Sequence, residues 1–149
     1  MDTSALYNRM KQENIVYLNH KLSYTRGAIA HYNDIVVIIV DKDQVHDKIS
    51  ENTVIIQELG HYLANAYYNT NSKDELICQM ELKADVVAWK EFFPYSKIRE
   101  LMSNGITTAT MIAEYFEVEA PYIARCLNYY YKLSDGFKKE NLSSLYDID

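Results

Sequence analysis

The interpretation of this chain begins with ten consecutive residues, Val54-Ile55-Ile56-Gln57-Glu58-Leu59-Gly60-His61-Tyr62-Leu63. Apolar side chains at Ile55, Leu59 and Ala66 recur at the spacing of an α-helix that buries one face. Inside the same stretch, Gln57 to His61 differs by a single residue from His-Glu-x-x-His, the helical motif in which two histidines bind zinc. The stretch therefore predicts a buried helix that carries a metal-binding motif with one changed ligand.

The changed motif keeps the geometry of such a zinc site. Residues at positions i and i+4 of a helix lie about 40° apart around its axis, so Gln57 and His61 can reach one metal ion. The apolar stripe points roughly 160° away from them. Glu58 stands where the motif has the carboxylate that activates the metal-bound water, which makes it the candidate catalytic base.

A third metal ligand is expected from a later helix. Glu81 and Asp85 lie four residues apart, which places both carboxylates on one helix face. Glu81 is the candidate ligand, and Asp85 could orient the His61 ring through a hydrogen bond. Tyr62 is a candidate hydrogen-bond donor to an oxyanion, with simple packing as the alternative. The alternative for the two acids is an exposed face that pairs with Lys73, Lys83 or Lys90.

Hydrophobic periodicity and turn residues predict an α+β fold, with a small N-terminal sheet followed by helices. The predicted strands lie near Ile15–Leu18, Gly27–His31 and Ile35–Val40. The last of these is apolar without interruption, which favours a strand covered on both faces. The predicted helices are a weak one at Ala5–Lys11, one from Ser50 or Asn52, one from Ser72 to before Pro94, and three at Pro94–Ser103, Thr108–Glu117 and Ala120–Leu133.

The composition favours one folded domain. A hydrophobic content of 48% and a charged content of 24% are typical of globular proteins. We expect a single domain over residues 1–133, made of a helix and small sheet (1–50), a helix pair (51–93) and C-terminal helices (94–133). Residues 134–149 show no clear period and are expected to form a loose acidic tail.

Charge and hydropathy exclude several classes of function. The formal net charge of −6 disfavours non-specific binding to nucleic acid. The sequence has no apolar run long enough to cross a membrane and no secretory signal, which predicts a cytoplasmic protein. Cys78 and Cys126 lack CxxC spacing, so both are expected to be reduced, buried side chains.

Beyond the motif itself, the chain resembles the ImmA/IrrE family of zinc metallopeptidase-like proteins, especially the short members carried by phages and integrative elements. The resemblance covers Val54 to Tyr131, and residues 1–50 match only as a helix followed by short strands. The matching segments are Glu58-Leu59-Gly60-His61-Tyr62, Glu81-Leu82-Lys83-Ala84, Ala88-Trp89, Phe92-Phe93-Pro94, Gly105, Ile112-Ala113-Glu114-Tyr115-Phe116-Glu117-Val118 and Leu127-Asn128-Tyr129-Tyr130.

The resemblance implies a zincin-like pair of active-site helices packed on the small sheet. It also implies a cytoplasmic zinc endopeptidase that cleaves a helix-turn-helix transcriptional repressor of a phage or mobile element. Such proteins have their catalytic glutamate at the position of Glu58 and their metal ligands at Gln57, His61 and Glu81. The family pattern usually has histidine where this chain has Gln57.

Gln57 leaves a second interpretation open. A neutral amide oxygen is a poorer zinc ligand than imidazole, so His61 and Glu81 would be the only strong protein ligands. The chain would then be a pseudopeptidase that binds a repressor or other protein without cleaving it, and its acidic surface suits a partly basic partner. The segment Thr107–Tyr131 resembles a helix-turn-helix, but its few basic residues favour packing or repressor contact over direct contact with nucleic acid.

Overall fold

The fold is taken from a computed structural model, and the structure is described for residues 2–133. The strands are β1 (Ile15–Asn19), β2 (Gly27–Tyr32) and β3 (Ile35–Val40). The helices are α1 (Thr3–Gln12), α2 (Lys48–Ala64), α3 (Asp74–Phe92), α4 (Tyr95–Ser103), α5 (Ala109–Phe116) and α6 (Ala120–Leu133). The predicted α+β class is confirmed, with the strands near the N-terminus and most of the described chain helical.

The described residues divide into two compact units, one up to Ala88 and one from Trp89 onward, and the division falls inside α3. The single domain expected over residues 1–133 stays a prediction. The tail expected at residues 134–149 lies outside the described residues. Within residues 2–133, no helix combines the length and the apolar character that crossing a bilayer requires.

The first unit contains a three-stranded sheet in the order β1-β3-β2. β1 pairs with β3 in parallel, and β2 pairs with β3 antiparallel across a two-residue turn in which Asn33 has a φ of 50°. Asparagine tolerates this left-handed conformation better than most residues, which suits the turn. β2 therefore forms one edge of the sheet.

Helices α1 and α2 lie on the same face of the sheet. Tyr7 of α1 and Tyr17 of β1 make an edge-to-face ring contact and both donate hydrogen bonds to the Glu51 carboxylate of α2. Lys42 pairs with the same carboxylate, so this buried charge is compensated. β3 is covered less than predicted, because only Ile38 and Val40 of that strand are fully buried.

The helix α2 begins earlier than the sequence suggested. Its N-cap is Asp47, whose carboxylate accepts a hydrogen bond of 2.7 Å from the backbone N–H of Ser50, so the predicted caps Ser50 and Asn52 are wrong. The helix ends at Asn65, which is left-handed with a φ of 49°. Ala66 consequently lies beyond the helix, although it is fully buried as its apolar pattern predicted.

Helices α2 and α3 approach each other closely at a glycine. A Cβ atom on Gly60 would lie 2.6 Å from the carbonyl oxygen of Ala84 and 2.9 Å from the Cβ of Ala88. Both distances are too short for a real Cβ atom, so the glycine at position 60 allows α2 and α3 to lie this close together. The contact brings the motif helix against the helix that carries Glu81.

The second unit is organised around aromatic contacts. The Tyr130 hydroxyl donates to the carbonyl oxygen of Phe93 at 2.9 Å, and the Phe93 ring meets Phe116 edge to face with centroids 4.8 Å apart. The two predicted helices around Glu117 are present as α5 and α6. Cys126 is buried as predicted, whereas Cys78 is exposed, and both are free thiols.

Candidate active site

His61 is held in one orientation by the backbone. Its Nδ1 atom lies 2.7 Å from the carbonyl oxygen of Ala66, and the Ala66 N–H donates to the carbonyl of His61 at 3.0 Å. The left-handed Asn65 turns the chain back so that both bonds can form. We assign the Nδ1 proton to this bond, which leaves Nε2 as the ring atom that faces the site.

Glu81 lies opposite Nε2 of His61. Its Oε1 atom is 3.3 Å from Nε2 of His61, and the side chain is 43% exposed. The Tyr68 hydroxyl donates to the same carboxylate oxygen, and its ring meets the His61 ring edge to face at 5.9 Å. Two predicted ligands are thus brought together, with Tyr68 beside them.

Glu58 lies against the first residue of β2. A Cβ atom on Gly27 would lie 3.3 Å from Oε1 of Glu58 and 2.3 Å from Cγ1 of Val54. A side chain at position 27 would clash with the Val54 methyl group, so glycine allows β2 to lie close to the motif helix beside Glu58. Sequence reasoning placed Gly27 at the start of a strand and gave it no role in the site.

The pKa values of Glu58 and His61 are both shifted, and Glu81 contributes to each shift. Burial, together with the nearby charge of Glu81, raises the pKa of Glu58 to about 7, although His61 opposes the shift. Burial lowers the pKa of His61, but the bonds to Glu81 and to the Ala66 carbonyl, with the charge of Glu58, raise it to about 9. Near neutral pH, His61 is therefore charged and paired with Glu81, while Glu58 is partly protonated.

The other three predicted site residues lie on α2 and α3. Gln57 is half-buried on α2, one turn before His61. Asp85 is buried on α3 with 4% exposure, and its role in orienting the His61 ring stays a prediction. The Tyr62 hydroxyl is directed toward Glu13, at 3.4 Å from its carboxylate.

The donor set fits a zinc ion in part. Two donor atoms on tetrahedral zinc with bonds of about 2.0–2.1 Å are about 3.3 Å apart, which is the separation of His61 Nε2 and Glu81 Oε1. Fixing Nδ1 on a carbonyl oxygen is the usual way a zinc-binding histidine is oriented. Within residues 2–133, however, no cluster of three or more His, Cys, Asp and Glu side chains is arranged to hold a metal. Gln57 would have to supply the third protein ligand.

A motif helix carrying Glu58 and His61, faced by a carboxylate from the next helix and packed on a small sheet, defines a metallopeptidase-like protein. The model of the IrrE N-terminal-like domain, a family of zinc peptidases, matches residues 7–128. The chain therefore belongs to this family, and the resemblance seen in the sequence is confirmed. No curated protein and no solved structure matches the chain.

Proposed function

We propose that the chain is a metal-dependent endopeptidase that cleaves a helix-turn-helix transcriptional repressor of a phage or mobile element. One observation carries the catalytic part of this proposal: Nε2 of His61 and the Glu81 carboxylate converge at 3.3 Å while the other ring nitrogen is held by Ala66. The repressor as substrate rests on the family resemblance and on the net charge of −6, which suits a basic DNA-binding partner.

In this proposal His61 and Glu81 hold the metal, and Gln57 is a weak additional contact. A zinc ion bound by these residues supplies Lewis-acid polarisation of the peptide carbonyl. Glu58, with a pKa of about 7, is matched to accepting a proton from water and returning it to the leaving amine near neutral pH. Tyr68 holds the Glu81 carboxylate in position.

The substrate is proposed to lie along β2. This edge strand contacts α2 at Gly27, beside Glu58, and its far end reaches the segment after α2, where the rings of His31 and Tyr67 meet at 4.4 Å. An extended peptide can add to a free sheet edge through its backbone hydrogen bonds. A peptide bound in this way would pass the catalytic glutamate.

A second candidate function is favoured by Gln57. The amide in a ligand position leaves two strong ligands, and such a site would bind zinc weakly. Under this proposal the same cleft and acidic surface bind the repressor without cleaving it. The two functions share the fold and the partner and differ only in the chemistry of the site.

The experiment that tests the proposal first examines the reading frames next to the gene for a helix-turn-helix repressor, and then incubates that repressor with the zinc-supplemented protein. We expect a discrete cleavage, detected by mass spectrometry, that is lost in the Glu58→Gln variant, which keeps the size of the side chain and removes its basicity. Binding of the repressor without cleavage by the native protein would instead support the second candidate. If the native protein neither binds nor cleaves the repressor, both candidate functions are contradicted.

A further inference from the structure

The sheet face that turns away from α1 and α2 is apolar at every strand position. Sheet alternation and the strand register place eight side chains on this outer sheet face: Val16, Leu18, Ala28, Ala30, Tyr32, Ile35, Val37 and Ile39. A sheet with one face in water normally alternates apolar with polar residues. This sheet departs from that pattern on all three strands.

Four of the large side chains on this face are strongly exposed. The exposed fractions are 43% for Val16, 46% for Leu18, 50% for Ile35 and 73% for Tyr32. With full side-chain areas of roughly 150–200 Å², they leave about 400 Å² of contiguous surface. The largest apolar patch on a soluble monomer is typically of this size, and such patches are often functional.

We propose that the outer sheet face pairs with the same face of a second copy of this chain. The face carries no charged side chain, so a basic partner such as a repressor has no acidic group to recognise on it. Two copies related by a two-fold axis would place apolar side chains against apolar side chains and bury no charge at the centre. Two such sheets pack face to face at about 10 Å, with the β-branched side chains interdigitated.

The area of the contact places the dimer in the class of weak interfaces. The four exposed side chains of both copies together would bury about 800 Å², and the half-buried members of the face add to this. That total lies at the low end for protein interfaces. The dimer is therefore expected to be weak and concentration-dependent.

Sedimentation velocity on the full chain tests the proposal, from about 1 to about 200 µM. We expect the mass to rise from 17.4 kDa toward twice that value with concentration. Leu18→Lys should raise the dissociation constant by roughly tenfold or more, because it places a charge in the apolar contact. Leu82→Lys is the matched control, since Leu82 is 55% exposed on α3 and lies off the sheet, and it should leave the dimer unchanged.

A second, milder variant controls for the possibility that Leu18→Lys fails to fold. Ile35→Thr keeps a β-branched side chain and should also weaken the dimer while the circular dichroism spectrum stays native. A native chain that remains a monomer at the highest concentration would overturn the proposal and leave the face to a different protein. A dimer that neither Leu18→Lys nor Ile35→Thr weakens would overturn it too, because another surface would then be responsible.

Discussion

Nε2 of His61 and Oε1 of Glu81 face each other at 3.3 Å, joining the motif helix α2 to the following helix α3. The glycine contact between Gly60 and Ala84 brings these helices together, and the Ala66 carbonyl holds the ring in place. The same arrangement can be an ion pair between protonated histidine and glutamate or the two strong ligands of one metal ion. Protons and metal therefore compete for this site.

The first prediction concerns the pH dependence of the metal-free protein. The pKa of His61 is about 9 in the fold, against 6.5 for a histidine side chain in the unfolded chain, so its stabilisation is complete below pH 6.5 and is lost as pH rises through 9. The raised pKa of Glu58 acts in the same direction between pH 4.5 and 7. The free energy of unfolding, measured with urea in the presence of chelator, should fall by about 1–3 kcal/mol between pH 6 and 9, allowing for solvent screening of the exposed partner Glu81.

The control for this prediction is Glu81→Gln, which removes the charge opposite His61. The fall in stability between pH 6 and 9 should be clearly smaller in this variant. Equal slopes in the two proteins would show that the His61–Glu81 pair does not form.

The second prediction restores the usual ligand. Gln57→His should tighten zinc binding by roughly tenfold or more, because imidazole is a much better zinc ligand than a carboxamide. Competition with a chromophoric chelator measures the affinity. Gln57→Ala is the matched control and should bind zinc no better than the native protein. An unchanged affinity in Gln57→His would mean that position 57 does not face the metal.

The third prediction tests the contact between the active-site helices. Gly60→Ala should destabilise the protein by about 1–3 kcal/mol, even though alanine favours helix, because the new methyl group meets the backbone carbonyl of Ala84. Thermal and urea unfolding measure the change. Gln79→Ala, at an exposed position on α3, should stay within about 0.5 kcal/mol of the native value. A fully stable Gly60→Ala protein would contradict the close packing.

The fourth prediction concerns the start of α2. Asp47→Ala should cost about 1 kcal/mol, because the backbone N–H of Ser50 loses its capping carboxylate. Asp43→Ala removes the same charge from the preceding turn and serves as the control, with an expected change below about 0.5 kcal/mol. If the two variants lose the same stability, charge rather than capping is responsible.

Local patterns were enough to predict most of the fold. Strand β3 begins and ends at the predicted residues, and helix α6 begins at the predicted Ala120, because turn residues bound the apolar run and precede the helical period. The structure also brings the predicted ligands His61 and Glu81 together. They are predicted from the motif, the spacing of Glu81 and Asp85 and the family resemblance, and their binding of one metal ion stays a prediction. The start of α2 was missed because Asp47 and Ser50 are both good capping residues, and local sequence does not choose between them.

The remaining features of the site depend on contacts between distant segments. Gly27 touches Glu58 across 31 residues of sequence, so its role cannot be seen from neighbours along the chain. The His61 ring is oriented by the Ala66 carbonyl, a backbone group that any residue would supply. Tyr68 reaches Glu81 only because the left-handed Asn65 redirects the chain after α2.

Metal content tests the central claim most directly. The protein is purified without chelator and without a metal-affinity tag, incubated with micromolar zinc, desalted and measured by elemental mass spectrometry. The account predicts about one zinc per chain in the native protein and its loss in Glu81→Ala, because that variant removes one of two strong ligands. A native protein that holds no metal after this treatment would contradict the peptidase assignment.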